Sequence, residues 1–239
     1  MKALQAIEKR SMIKAFVFDF DGTLVDFVES DIASLKYIYS LTGMNHREDV
    51  FIEKAISNII HFHELVDKGE ADPRTMHRYR LFNTFKELGF QWDEFYLDRY
   101  KTNLLHKTKP YPGADNLLRF LLTKGKLGLI TNAYDPEMQR KRIIASGLFD
   151  FFDEILIAGE EIYSKPDPQT FHLMSKRLNF KPIECIFIGN SPEFDIQGAN
   201  SAGMITILIH RSRKQIGQKP DYQVDSIEEL GILLEKLIA

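Results

Sequence analysis

Two carboxylates separated by one residue, Asp19 and Asp21, follow directly on the apolar run Ile13–Phe18. Placed where a strand turns into a loop, such a pair can divide the labour of a group transfer. Asp19 is suited to attack an electrophilic centre such as phosphorus, as carboxylate nucleophiles do. Asp21 is suited to protonate the leaving oxygen and later to deprotonate a water. Gly22 lets the backbone come close beside the nucleophile. Three further apolar runs end in polar residues of complementary kinds: Thr131-Asn132, Lys165-Pro166 in the loop after Ile155–Ala158, and Gly189-Asn190-Ser191 followed by Asp195. Carboxylates, a hydroxyl, an amide and an ammonium converging on one rim make a set fit for phosphoryl transfer. Thr131, Asn132 and Lys165 are the expected phosphate-binding residues, with Lys165 supplying fixed positive charge and Thr131 holding phosphate oxygens. Crowded carboxylates and a phosphate dianion repel one another, so a hard divalent cation with oxygen ligands, Mg2+, is expected beside them.

The elements that must position these groups can be read from periodicity. The runs Ile13–Phe18, Leu127–Ile130, Ile155–Ala158, Cys185–Ile188 and Ile205–Ile209 are too short for helices and lack alternation, which predicts strands covered on both faces. Asp135-Pro136 and Asp167-Pro168 each place a capping Asp before a proline at a helix start. Ser226 to Glu229 has capping-box spacing and opens a final helix over Ile227–Ile238. Strand and helix in alternation predict an α/β fold with a parallel sheet. From Asp26 to about Lys107 the alternation stops. Only amphipathic helical patterns remain there, at Ile32–Leu41, Val50–Val66, Met76–Leu88 and Phe95–Leu105. An all-helical domain over residues 26–107 is therefore expected to interrupt a core formed by 1–25 and 108–239, with Lys109 to Gly113 as the stiff return. Residues 1–11 read as an extension ahead of a start at Met12.

Phe18 to Asp26, Ile130-Thr131-Asn132, Ser164 to Pro168 and Gly189 to Asp195 together resemble the four ordered motifs of the haloacid dehalogenase (HAD) superfamily, and the resemblance runs from Met12 through nearly the whole chain. It implies a Rossmann-like core with a helical (C1-type) cap inserted after the first strand. It further implies Mg2+-dependent catalysis through a phosphoaspartate on Asp19, with Asp21 as acid and base. The fourth motif of the family usually begins Gly-Asp, whereas this chain has Asn190. An amide oxygen still ligates Mg2+ but brings one charge fewer, so the implied metal set is Asp19, the Asp21 carbonyl, Asp195 and Asn190, with weakened affinity. The stretches Arg80 to Gly89 and Met138 to Arg142 are similar to the YjjG-like 5′-nucleotidase branch. That similarity makes a nucleoside monophosphate the first expected substrate, followed by sugar or glycolytic phosphates.

Other readings compete. A 2-haloacid dehalogenase would share the architecture but needs no acid at Asp21. A phosphomutase would return the phosphate to a second hydroxyl, and a silent binding protein would find support in Asn190 alone. His61 and His63, two apart on a helix, point in different directions and are not expected to share a metal. Arg74, His77, Arg78 and Arg80 open a helix with basic charge that opposes its dipole, which suits either a solvated face or an anionic substrate. Phe27, Tyr111 and Tyr134 could stack on a base or sugar, or simply pack. The 239 residues carry 31 Lys plus Arg against 34 Asp plus Glu, so no basic face for a nucleic acid polymer is expected. The lone Cys185, in the apolar run from Ile183 to Ile188, reads as a core residue in a reducing compartment. No apolar stretch approaches membrane-spanning length. A cytoplasmic monomer or homodimer acting on a small phosphate monoester is the expectation.

Overall fold

The computed structural model describes residues 13–209 and 219–238. The expected N-terminal extension over 1–11 lies outside them. Each of the five apolar runs forms a strand: β1 (Ala15–Phe18), β2 (Lys126–Thr131), β3 (Glu154–Ile157), β4 (Cys185–Gly189) and β5 (Ile205–Ile209). A sixth, β6 (Tyr222–Val224), joins at the edge, and the sheet runs β3-β2-β1-β4-β5-β6 with every pairing parallel. Every residue of β1, β4 and β5 is buried, which is why these strands read as unbroken apolar runs rather than as alternation. On one face of the sheet Ala15, Val17 and Phe187 pack with Phe171, Met174 and Leu178.

Nine α-helices are described: α1 (Phe27–Thr42), α2 (Glu48–Asp67), α3 (Met76–Glu87), α4 (Glu94–Lys107), α5 (Ala114–Leu122), α6 (Pro136–Ala145), α7 (Pro168–Leu178), α8 (Gln197–Ala202) and α9 (Ile227–Ile238). The start signals act as their chemistry demands. Asp135 accepts from Met138 N at 3.0 Å, Asp167 from Gln169 N at 2.8 Å, and Ser226 Oγ from Glu229 N at 3.1 Å. Among the described residues no helix is long and apolar enough to cross a membrane.

The chain divides into two compact units. The sheet unit runs up to Asp26, takes Pro110–Asn132 and resumes at Gly147; the helical unit consists of Phe27–Lys109 and Ala133–Ser146. Within the helical unit Leu35, Ile38, Phe51, Leu81, Phe85, Tyr100 and Leu104 form the core, and Met138 of α6 packs into it. This packing, with the Lys101–Asp135 ion pair at 3.5 Å, accounts for α6 grouping with α1–α4 despite lying after β2 in the chain. A polar network crosses that interior. Arg80, fully buried, donates from both terminal nitrogens to Asp31 at 2.9 and 2.8 Å, Tyr100 donates to the same carboxylate, and the guanidinium lies over the Tyr100 ring.

His77 is buried against Tyr100, with ring centroids 5.0 Å apart, and its Nδ1 has no hydrogen-bond partner. Burial, reinforced by the charges of Arg80, Lys101 and Arg142 against that of Asp31, pushes its pKa down to about 3. The native state therefore holds His77 neutral, while the unfolded chain protonates it below its ordinary pKa of about 6.5. Stability from this group is complete above about pH 6.5 and is lost as pH falls towards the folded value. His77→Phe is expected to gain about 2 kcal/mol relative to the natural protein between pH 7.5 and pH 5. Urea unfolding at the two pH values measures this; a constant stability difference between the two proteins would refute it.

Candidate active site

In the strand order the chain moves outward from β1 to β2 and β3, then returns to lay β4 on the other side of β1. That reversal leaves a crevice beyond the carboxyl ends of β1 and β4, the place where parallel sheets bind ligands. Asp19 and Asn190 are the first residues past these two strands. The Asp19 backbone N–H donates to the Ile188 carbonyl at 2.9 Å, so the ladder continues one residue further and holds the carboxylate at the tip of β1. A tight turn follows, with Gly22 N bonded to Val25 O at 2.8 Å and Leu24 N to Phe20 O at 2.9 Å. Gly22 has φ +81°, and a Cβ there would lie 2.4 Å from Asn190 Nδ2. Conformation and proximity both require glycine.

Three loops deliver side chains to Asp19. Lys165 Nζ donates to Asp19 Oδ1 at 2.6 Å and to Asp195 Oδ1 at 2.7 Å, and Thr23 Oγ1 donates to Asp19 Oδ2 at 2.8 Å. Asp195 Oδ2 accepts the backbone N–H groups of Asn190 and Ser191 at 3.0 and 2.9 Å. Asp195 reaches them because Pro192–Ile196 forms a single π-helical turn, a local winding often found at functional sites. Gly189 completes the fit, since a Cβ there would lie 2.5 Å from Asp195 Oδ2. Asn132 closes another link: its amide donates to the Lys165 carbonyl at 2.8 Å and accepts from Lys165 N at 3.0 Å. Both ends of that amide thus fasten the Lys165 loop to β2. Thr131, the last residue of β2, is buried.

The electrostatics are those of a site short of positive charge. Burial pushes the Asp19 carboxyl up to about 7, with Asp195 and Asp21 adding repulsion and Lys165 opposing them. Burial works against the Lys165 ammonium, but Asp19 and Asp195 outweigh it and hold the group above its ordinary pKa. One ammonium faces two carboxylates, Asp19 and Asp195, and the Asp21 charge adds to the repulsion at Asp19.

Among the described residues no three His, Cys, Asp or Glu side chains gather as a metal cluster. A hard cation nevertheless has a suitable donor set of mixed kind. The Asn190 side-chain amide lies 3.3 Å from Asp19 Oδ2 and 3.2 Å from the Asp21 carbonyl oxygen. With its nitrogen turned inward it donates to both. With its oxygen turned inward, the Asn190 amide, Asp19 and the Asp21 carbonyl bring three oxygens together, the kind of donor set that Mg2+ prefers. The two oxygens of Asp195 are engaged by Lys165 and by the backbone N–H groups of Asn190 and Ser191.

The family model for haloacid dehalogenase-like hydrolases matches residues 13–203. The chain belongs to this family. It is 36% identical to a glyceraldehyde 3-phosphate phosphatase of Methanopyrus kandleri, over 95% of this chain and 99% of the relative. It is 27% identical to the N-acylneuraminate-9-phosphatase of Homo sapiens, over 95% and 96% of the two chains. Among solved structures, the HAD-hydrolase YfnB of Bacillus subtilis, determined bound to magnesium, superimposes with a TM-score of 0.75 at 25% identity, covering 93% of this chain and 99% of that one.

In this HAD-like hydrolase the sequence motifs meet at one place: Asp19, Lys165, Asn190 and Asp195 share direct or single-step contacts. Thr23, inside the first motif, is a functional residue that residue type alone does not mark: it is the second partner of Asp19. Only its position four residues after Asp19, across a tight turn, hints at that contact. The basic group read at the start of a helix splits up. Arg74 pairs with Asp72 at 2.8 Å and Arg78 with Glu94 at 2.6 Å on the surface, whereas His77 and Arg80 turn into the interior. His61 and His63 diverge as their spacing requires, the first towards Glu64 and Tyr79 and the second towards Tyr134. Phe27 lies under the Arg142 guanidinium at 4.7 Å, and Tyr111 N bonds to the Leu24 carbonyl at 2.8 Å.

Proposed function

We propose that this hydrolase is a Mg2+-dependent phosphomonoesterase that cleaves small hydroxylated phosphate esters through a phosphoaspartate on Asp19. The observation that carries the reading is the buried array in which Lys165 bridges Asp19 and Asp195 at the mouth of the β1/β4 crevice. The Asp19 carboxylate attacks phosphorus and the bond to the leaving oxygen breaks, while Asp21 donates a proton to that oxygen. Asp21 then takes a proton from the water that attacks the phosphoaspartate, inorganic phosphate leaves, and Asp19 is restored. Lys165 and Thr131 hold the phosphate oxygens, with Asn132 fixing the lysine loop in place. Asp19, the Asp21 carbonyl and Asn190 would hold Mg2+, which would supply positive charge against the negative charge gathering on the phosphoryl oxygens.

A second acidic residue at Asp21 favours phosphoryl transfer over dehalogenation, whose ester intermediate requires no proton there. The named activities of the relatives favour a phosphate carried on a hydroxylated carbon chain, and nucleoside 5′-monophosphates form the second class to be tried. In a panel of glyceraldehyde 3-phosphate, ribose 5-phosphate, acylneuraminate 9-phosphate and nucleoside 5′-monophosphates, inorganic phosphate is expected to appear with Mg2+ and to stop on chelation. Chloride release from a 2-haloacid without metal, or no phosphate from any ester, would overturn the proposal.

A further inference from the structure

Two opposite chemistries compete for the side chain of Asn190. Its backbone is fixed, since Asn190 N donates to Asp195 Oδ2 at 3.0 Å directly after the last residue of β4. Its amide reaches across to the turn that follows β1. One amide atom there faces Asp19 Oδ2 at 3.3 Å and the Asp21 carbonyl oxygen at 3.2 Å, with Thr23 Oγ1 at 3.5 Å. All of these groups belong to the sheet unit.

Hydrogen-bond accounting ranks the two orientations of the amide. An oxygen in the inward position meets only acceptors. A carboxylate and a carbonyl donate nothing, and the single Thr23 hydroxyl proton goes to Asp19 Oδ2 at 2.8 Å. A nitrogen in that position gives one proton to Asp19 and one to the Asp21 carbonyl, so without a cation the nitrogen faces inward. A divalent cation reverses the ranking, because it repels N–H protons and binds oxygen. Adjacent oxygens on an octahedral Mg2+ at about 2.1 Å stand about 3.0 Å apart, so the inward atom is already within a few tenths of an ångström of ligand spacing. The exchange needs a half-turn about the Cβ–Cγ bond and no backbone shift. Gly22 leaves room for it, since a Cβ there would strike the outer end of the amide. A carboxylate in place of the amide could ligate the cation but could donate to neither oxygen.

We propose that the Asn190 amide is a two-position latch. Nitrogen inward, it donates to Asp19 and to the Asp21 carbonyl and keeps the end of the crevice assembled without a cation. Oxygen inward, it is a ligand of the divalent ion. This rests on the Mg2+ reading above and deepens it, because cation entry then competes with two hydrogen bonds that the site makes for itself.

The test reads the amide directly, by NMR of protein labelled with 15N at asparagine. The Asn190 side-chain signals are assigned by their loss in Asn190→Asp or Asn190→Ser. In chelator these N–H groups are expected to exchange with solvent at least about tenfold more slowly than those of the exposed Asn45. Saturating Mg2+ is expected to shift them and to erase most of that protection. Asn190→Asp, which cannot donate and adds a negative charge, is expected to bind Mg2+ at least about tenfold more tightly by calorimetry. In chelator it is expected to melt several degrees below the natural protein, and saturating Mg2+ closes that gap. Absence of protection in chelator, or an Asn190→Asp variant that melts there as high as the natural protein, would overturn the latch. Amide signals unmoved at Mg2+ concentrations that calorimetry shows to be saturating would overturn the latch and leave the Mg2+ reading standing. No Mg2+ binding by the natural protein would overturn both.

Discussion

Asp19→Asn is expected to lower kcat on any phosphate ester by about 10⁴-fold or more, the scale on which enzymes respond to loss of a covalent nucleophile. The amide matches the carboxylate in shape but cannot attack phosphorus. The fold should survive. Asp19 is a buried acid whose pKa is raised to about 7, so in the natural protein it costs stability as pH rises from its unfolded value towards 7. The variant removes that cost, while Lys165 keeps Asp195 as its partner at 2.7 Å. In chelator at pH 8, Asp19→Asn should therefore melt no lower than the natural protein while releasing no phosphate when Mg2+ is restored. Undiminished turnover would refute the nucleophile assignment. A sharply lower melting temperature would show that Asp19 is chiefly a structural partner of Lys165.

Lys165→Met should do the opposite, removing activity and stability together. Lys165 is 95% buried and its ammonium is the shared cation of Asp19 and Asp195. Breaking a buried pair from one side leaves uncompensated charge and costs about 3–5 kcal/mol. Here two carboxylates are stranded, and Asp19, already raised to about 7 by burial, loses the cation that opposes that rise. The sign follows: the variant loses stability as pH rises and regains it as pH falls through the raised Asp19 pKa. Denaturant unfolding should show a larger deficit at pH 8 than at pH 5. Adding Asp195→Asn, which removes one stranded charge, should recover part of the loss. A deficit independent of pH would mean that lost packing dominates.

The strands and the chemistry were legible for different reasons. Strands buried on both faces leave unbroken apolar runs, so β1 to β5 could be read directly. β6 could not. Its three residues, Tyr-Gln-Val, sit at the sheet edge with only Val224 buried, and so short an exposed segment carries no pattern. The helix starts at Asp135 and Asp167 were legible because a cap is a local bond between neighbours in sequence. Association of Ala133–Ser146 with the helical unit was not, because it depends on where Met138 and Tyr134 find partners more than thirty residues away along the chain.

The candidate site divides in the same way. Residue types at strand ends were readable: a carboxylate pair, a hydroxyl, an amide and a lysine, each in or after an apolar run, make a set suited to transfer of a group such as phosphoryl. Which atoms share a bond was decided by the tertiary fold. Lys165 is 146 residues from Asp19 in sequence, and only the laying of β4 beside β1 brings Asp195 to its other side. The π-helical turn at Pro192–Ile196 then turns one oxygen of Asp195 towards backbone N–H groups and leaves the other for the lysine. Local signals record which group each position offers; distance and direction between groups arise only when the sheet closes, because they are properties of packed neighbours and not of neighbours in the chain.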